Sequence, residues 1–181
     1  MKIQIGDKIP DLVFDTNERD GVRLSEVLKG KTVLWVLRYI GCPVCRLDVH
    51  RIAQRYGEFT AKGAQVFAVM QSDRAHIEKD LRATGAVLPF EIVCDPEQKI
   101  YEELEILPAD QEGPPAGEVL ERLIAKAREA EAEGFVHGDY EGNEQQLPAL
   151  FILDEAGTAL YANYAQDPMD MPSLDEVLEM L

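Results

Sequence analysis

The apolar spacing of this chain changes period within a dozen residues, and that change limits the folds open to it. "TVLWVLRYI", Thr32 to Ile40, is rich in β-branched and apolar side chains and reads as a buried central strand. From Pro43 the spacing is helical: Cys45, Val49, Ile52, Tyr56 and Phe59 follow at intervals of 4, 3, 4 and 3, which places them on one face. Gly63 ends that helix, and "AQVFAVMQ", Ala64 to Gln71, is again a strand. Two buried strands joined by one helix make a parallel βαβ unit with a right-handed crossover.

The flanking segments extend the unit. Asp11 to Asp15 reads as a short strand, Asn17 to Gly21 as a polar turn, and Ser25 as the cap of a short helix that Gly30 ends. "SDRAHIEKDLRATGA" is a second helix capped by Ser72 or Asp73, "PFEIVCDP" a short strand ended by Pro96, and "EQKIYEEL" a short helix. "LPALFILDEAGTALYANY" is a β-hairpin turning at Asp154 to Gly157, and Ser173 with Glu176 forms a capping box for a last helix. Residues 108–146 break the rhythm. A Pro/Gly/acid stretch leads to an expected amphipathic helix from Glu118 to Glu133 with Val119, Leu120, Leu123, Ile124 and Ala127 on one side, and then to a polar loop. One short helix cannot build its own core, so this is read as an insertion in a single domain spanning 1–181. Val119, Leu123 and Ala127 are expected to be buried against the main domain or, in a homodimer, against a second copy of the chain.

A chain of 181 residues with 46% hydrophobic content suits one ordinary globular domain. Its N-terminus has no apolar stretch and no small-residue cleavage site, so a cytoplasmic location is expected, where paired cysteines are more often catalytic or metal-binding than structural. The net charge is −16, and all 18 Lys and Arg lie at or before Arg128. Residues 129–181 hold 13 Asp and Glu and no cation. Such a surface repels phosphate backbones, which argues against nucleic acid and anionic membranes as partners. It serves solubility, or else forms a docking face for a basic partner.

Chemistry concentrates in "RYIGCPVCRLDV". The spacing Cys42-Pro43-Val44-Cys45 puts one thiol just before the helix and the other in its first turn. Unpaired N–H groups and the positive dipole end favour thiolate there. Arg38 and Arg46 flank the pair with positive charge, and Pro43 sits where a first-turn proline is welcome. A CxxC at a strand-to-helix junction of a βαβ unit is a redox signal. The competing reading is zinc, which needs four ligands. Only Cys94, His50, His76 and His137 could complete such a set, and none forms a second closely spaced pair, so no metal is expected. Two inert core thiols are a further alternative. Cys94 reads as a small core hydrophobe, His50 as a surface histidine, and Trp35, Tyr56 and Phe59 as core.

With these elements in place, the chain resembles the peroxiredoxin-like branch of the alkyl hydroperoxide reductase and thiol-specific antioxidant superfamily. The segments carrying the likeness are "GDKIPDLVFDTNERDGVRLSEVLKGKTVLWVLRYIGCPVC", "FAVMQSDRAHIEKDLRATGAVLPFEIVCDPEQKIYEEL" and "QLPALFILDEAGTALYANYAQDPMDMPSLDEVL". The resemblance implies a thioredoxin-like α/β fold, a central mixed sheet flanked by helices, with Pro148 matching a proline whose preceding peptide bond is cis. Against the pattern P-x-x-x-T-x-x-C, Cys45 occupies the peroxidatic position, while Cys42 replaces the threonine and Arg38 the proline. The later-strand arginine of that family has no match. Gly41 stands where thioredoxin has tryptophan.

The reading that results is an antioxidant thiol–disulfide oxidoreductase with a Cys42/Cys45 dithiol as redox-active centre, supported by Arg38, Pro43, Arg46 and Pro148. Its substrate would be a protein disulfide or a small peroxide. An external thioredoxin-type dithiol would reduce the resulting disulfide bond by exchange, and no cofactor is implied. Periodicity covers Cys45 and leaves Cys42 more exposed, so Cys42 is expected to attack disulfides while peroxide turnover is slow. The alternatives are a weak peroxidase acting through Cys45, and a non-enzymatic redox-sensing or binding module.

Overall fold

The computed structural model describes residues 1–181. In chain order it runs β1 (Val13–Thr16), β2 (Val22–Arg23), α1 (Leu24–Val27), β3 (Lys31–Val36), α2 (Pro43–Gln54), α3 (Tyr56–Ala61) and β4 (Ala64–Met70). It continues with α4 (Arg74–Thr84), β5 (Glu91–Cys94), α5 (Lys99–Glu103), α6 (Gly117–Ala132), β6 (Ala149–Leu153), β7 (Ala159–Tyr164) and α7 (Leu174–Met180). The strands form one seven-stranded sheet in the order β2-β1-β5-β4-β3-β6-β7. β3, β4 and β5 are mutually parallel, and β1, β6 and β7 pair antiparallel. The sheet is therefore mixed, with the βαβ unit at its centre.

Alternation along β3 divides the core into two layers. Val33 and Trp35 face the α2 side with Cys45, Val49, Ile52 and Phe59, while Leu34 and Val36 face the layer containing Phe67, Val69, Tyr101 and Phe151. Val49 and Ile52 are fully buried, which stabilises the docked α2 by roughly 1.5–3 kcal/mol each. The helical run expected from Pro43 to Gly63 breaks at Arg55, whose φ of −109° and ψ of 14° are not helical. The apolar face nonetheless continues into α3 through half-buried Tyr56 and buried Phe59. Gly30 and Gly63 permit a close crossing at the base of the sheet. Gly30 has φ +54°, and a Cβ there would lie 2.0 Å from the Gly63 carbonyl oxygen.

One local expectation is corrected and one open alternative is settled. Ser25 does not cap α1, because the helix begins at Leu24 and Arg23 is the N-cap residue. Asp11 supplies the missing acceptor instead, taking the Ser25 N–H at 2.9 Å through Oδ1. Asp73, rather than Ser72, caps α4, and the Ser173–Glu176 capping box of α7 is present.

Residues 108–146 leave and rejoin the structure at one place, where Pro108 and Gln146 form an isolated antiparallel bridge. Within this excursion α6 lies along α2. Its deep anchors are not the expected ones: Val119, Leu123 and Ala127 are only half-buried, and Ile124 is 43% exposed. Ala130 and Phe135 pack on Leu47 instead, and Lys126 pairs with Asp48 at 2.7 Å. The C-terminal end of the helix is seated and its N-terminal end stands over a cavity. No helix is long and apolar enough to cross a membrane.

Candidate active site

Cys42 is the N-cap residue of α2, with Pro43 in the first turn. Its Sγ accepts the Cys45 backbone N–H at 3.5 Å, which is the capping bond a serine oxygen would normally make. Arg38 follows β3 and donates from Nη2 to Cys42 Sγ at 3.1 Å. Its Nη1 donates to the Glu144 carbonyl at 2.7 Å. The Arg38 backbone is held as well. Its carbonyl accepts the Gln71 N–H at 2.7 Å, and Gln71 Oε1 accepts the Asn143 N–H at 2.8 Å. The guanidinium is thus positioned jointly by the end of β4 and by residues of the excursion.

These contacts separate the two thiols electrically. Cys42 is held well below the ordinary thiol range, first by the hydrogen bond donated from the Cys45 thiol and then, against burial, by the Arg38 charge. Cys45 moves the other way, because its proton bonds the Cys42 thiolate and because it is buried. The arrangement surrounds Cys42 Sγ with a guanidinium, a backbone N–H and a neighbouring thiol, and favours the anion there over Cys45.

Exposure departs from expectation. Cys42 is 1% exposed and Cys45 7%, so Cys42 is not the more open of the two. The cover comes from the excursion. The Gly138 N–H donates to the Gly41 carbonyl at 2.8 Å, and a Cβ on residue 41 would lie 2.4 Å from the Asp139 carbonyl oxygen. Gly41 stands where thioredoxin has tryptophan because a second backbone crosses at that point. Tyr39, His137 and Tyr140 cluster beside it, with the His137 and Tyr140 rings stacked at 4.1 Å. Helix periodicity placed Cys42 at a free helix start. It carried no information about a loop arriving from a hundred residues away.

Both thiols line a cavity of about 400 Å³. Trp35, Leu37, Val44, Ile52 and Pro148 form its inner wall, Leu123 comes from α6, and Met169 and Met171 from the segment before α7. Four cations also line it, Arg38, Arg51, Arg122 and Lys126. In a chain of net charge −16 this is a local inversion of sign. The later-strand arginine absent from the sequence pattern has no replacement on a strand, but α6 brings Arg122 and Lys126 to the same cavity. Sequence reading missed Gln71, Asn143, Glu144, Arg122 and Lys126. The only signal was i,i+4 spacing of Arg122 and Lys126 on an amphipathic helix.

The other expected site residues divide. Arg38 contacts Cys42, Pro43 takes the first turn after it, and Pro148 lines the cavity. The Leu147–Pro148 bond is trans, not cis, since the structure has no cis peptide bond. Trans is the lower isomer for X–Pro by about 0.5–1 kcal/mol, and the excursion ending at Gln146 delivers the chain to β6 without the inversion. Arg46 does not support the thiols. Its guanidinium turns away to Asp80 at 2.7 Å and lies over the Phe135 ring at 4.7 Å, so it fastens α2 to α4. His50 is half-buried against Phe135 rather than a free surface histidine. Cys94 lies outside the cavity, and burial raises its thiol to about 12.

A mixed sheet with a dithiol at the N-terminus of the helix after its central strand is a thioredoxin-like α/β fold, and solved structures agree. Peroxiredoxin 6 of Arenicola marina superposes with TM-score 0.69 over 97% of this chain and 70% of that one at 15% identity. PrxQ of Xylella fastidiosa gives 0.70 over 99% and 95% at 12% identity. The model of the AhpC/TSA family matches residues 5–162, and the chain belongs to that family. A 1-Cys peroxiredoxin of Medicago truncatula is 30% identical over 115 residues, covering 60% of this chain and 52% of that protein. The 1-Cys peroxiredoxin B of Oryza sativa subsp. japonica is 27% identical over 129 residues, covering 67% and 58%. The chain thus spans about half the length of the curated relatives it matches.

Proposed function

We propose that this protein is a thiol-dependent peroxidase, with Cys42 as the attacking thiolate and Cys45 as the resolving thiol, on one thioredoxin-like domain spanning 1–181. The observation that carries the reading is the 3.1 Å bond from Arg38 Nη2 to Cys42 Sγ at the wall of a cavity that also carries Arg51, Arg122 and Lys126. The names of the relatives support the reaction class.

In the first step Cys42 S⁻ attacks the terminal oxygen of a hydroperoxide. The S–O bond forms, the O–O bond breaks, and the departing alkoxide takes a proton to leave as an alcohol. Arg38 stabilises the charge shared between sulfur and oxygen. Cys45 then attacks the Cys42 sulfenic acid. The S–S bond forms, and the Cys45 proton leaves with the hydroxyl group as water. A thioredoxin-type dithiol returns the pair to thiols by exchange. With Cys42 at 1% exposure, a small hydroperoxide suits the closed site better than the bulky protein disulfide expected from the sequence. Reduction by a protein dithiol requires the segment 135–146 to lift. No step calls for a cofactor.

Trapping sulfenic acid with dimedone after one equivalent of peroxide tests the assignment. Cys45→Ser should accumulate the adduct at Cys42, and Cys42→Ser should form none. The opposite pattern would make Cys45 the peroxidatic residue, the role its sequence position resembles.

A further inference from the structure

One side-chain cluster has no part in the thiol chemistry. Asp73 caps α4, His76 lies in the first turn of that helix, and Glu141 comes from the excursion. His76 Nδ1 is 2.8 Å from Asp73 Oδ1 and 3.2 Å from Glu141 Oε2, and one donor atom from each residue falls within 4.8 Å of the others. The Glu141 side chain is 9% exposed, and its Oε1 is buried with no hydrogen-bond partner. Glu141 Oε2 accepts the Asp73 N–H at 3.1 Å, and the unpartnered Oε1 carries a desolvation cost. Lys79, three positions after His76 on α4, is engaged by Asp139 at 2.7 Å.

The far side of the imidazole completes the pattern. His76 Nε2 faces Asp139 Oδ2 at 3.5 Å. An imidazole that coordinates through Nδ1 must carry its proton on Nε2, and a carboxylate at that end fixes the tautomer and strengthens the ligand. Asp73 uses only Oδ1 to cap the helix, which leaves its other oxygen for a ligand. One imidazole and two carboxylates are a donor set for a borderline divalent cation, with water filling the open position.

We propose that Asp73, His76 and Glu141 form a divalent-cation site of zinc type, oriented by Asp139, that joins the excursion to the start of α4. On binding, the cation takes the Nδ1 lone pair and the bound proton is released to solvent. In the sequence His76 has no closely spaced second ligand. Glu141, 65 positions later, is brought to it by the fold.

The thiols would themselves bind zinc, so the test uses the full-length chain with Cys42, Cys45 and Cys94 all replaced by serine. Zinc chloride is titrated calorimetrically, and cobalt chloride is followed by visible absorption. One equivalent of each should bind, and the cobalt spectrum should report nitrogen and oxygen ligands without sulfur. Placed in this background, Glu141→Gln, which preserves volume, and His76→Ala should each abolish the binding. Asp139→Asn should weaken it by about tenfold, while His50→Ala should leave it unchanged. Absence of saturable zinc binding in the parent, or full affinity in either Glu141→Gln or His76→Ala, overturns the site. Equal affinity for calcium or magnesium overturns the zinc-type assignment. Thermal unfolding of the metal-free variants separates lost ligation from lost folding. Failure of peroxidase activity elsewhere in the protein bears on none of these outcomes.

Discussion

The βαβ core and the excursion of residues 108–146 supply the same site by different physics. In the core, each role follows from local structure: a strand ends, a helix begins, and Cys42, Pro43 and Cys45 take cap and first-turn positions whose N–H groups favour an anion. In the excursion, roles come from contact. Glu144 matters because its carbonyl meets Arg38, Gly138 because its N–H meets Gly41, and Arg122 because α6 stands over the cavity. The core makes a thiolate possible, and the excursion encloses it. A nearly regular motif can thus be specialised by a segment that leaves the fold and returns at a single bridge.

The largest effect should come from the core. Cys42→Ser should abolish peroxide turnover, measured as peroxide consumed with an external dithiol. Residual turnover near wild type would remove Cys42 from the chemistry and reduce the core to a scaffold. Arg38→Met comes next, because it removes a charge-assisted bond from the thiolate. An opposite charge at this range shifts a thiol by about 1–3 pH units. The sign is fixed by the direction of the Cys42 shift: depressed in the folded protein, Cys42 is already ionised where an ordinary thiol, near about 8.5, begins to titrate. The wild-type Cys42 alkylation rate should therefore be flat across neutral and mildly alkaline pH and fall only in acid. In Arg38→Met it should rise through the neutral range. A flat profile in both proteins would place the cause in the Cys45 thiol and the helix terminus rather than in Arg38.

Gly41→Val sharpens the comparison from the other side. Its Cβ would collide with the Asp139 carbonyl, so the loop must lift or the helix start must shift, at about 1–3 kcal/mol. Denaturant unfolding should show that loss, and hydrogen exchange should show segment 135–146 deprotected while β3 and β4 stay protected. If β3 and β4 were deprotected equally, core and excursion would be one cooperative unit. Glu144→Gln should have the smallest effect, under about 0.5 kcal/mol. Its side chain is 3.8 Å from Arg38 and 42% exposed, while the carbonyl that holds the guanidinium is retained.

Taken alone, the sequence determined the elements whose cause is short-range. The period switch at Pro43, the continuous apolar runs of β3 and β4, the hairpin ending the sheet and the Ser173–Glu176 capping box were all readable because backbone periodicity and capping act over a few residues. The positions of Cys42 and Cys45 at the start of α2 were readable for the same reason, since a helix start depends on spacing. What the tertiary structure decided were the matters that join distant positions: that Arg46 turns to Asp80, that Phe135 rather than Val119 anchors the excursion, that Pro148 is trans, and that both thiols are covered. The same holds for the direction of proton sharing between Cys42 and Cys45. The dipole of α2 acts on both sulfurs. The Cys45 thiol, together with one guanidinium held by Glu144 a hundred positions away, favours Cys42 as the anion, and no local pattern encodes a contact of that range.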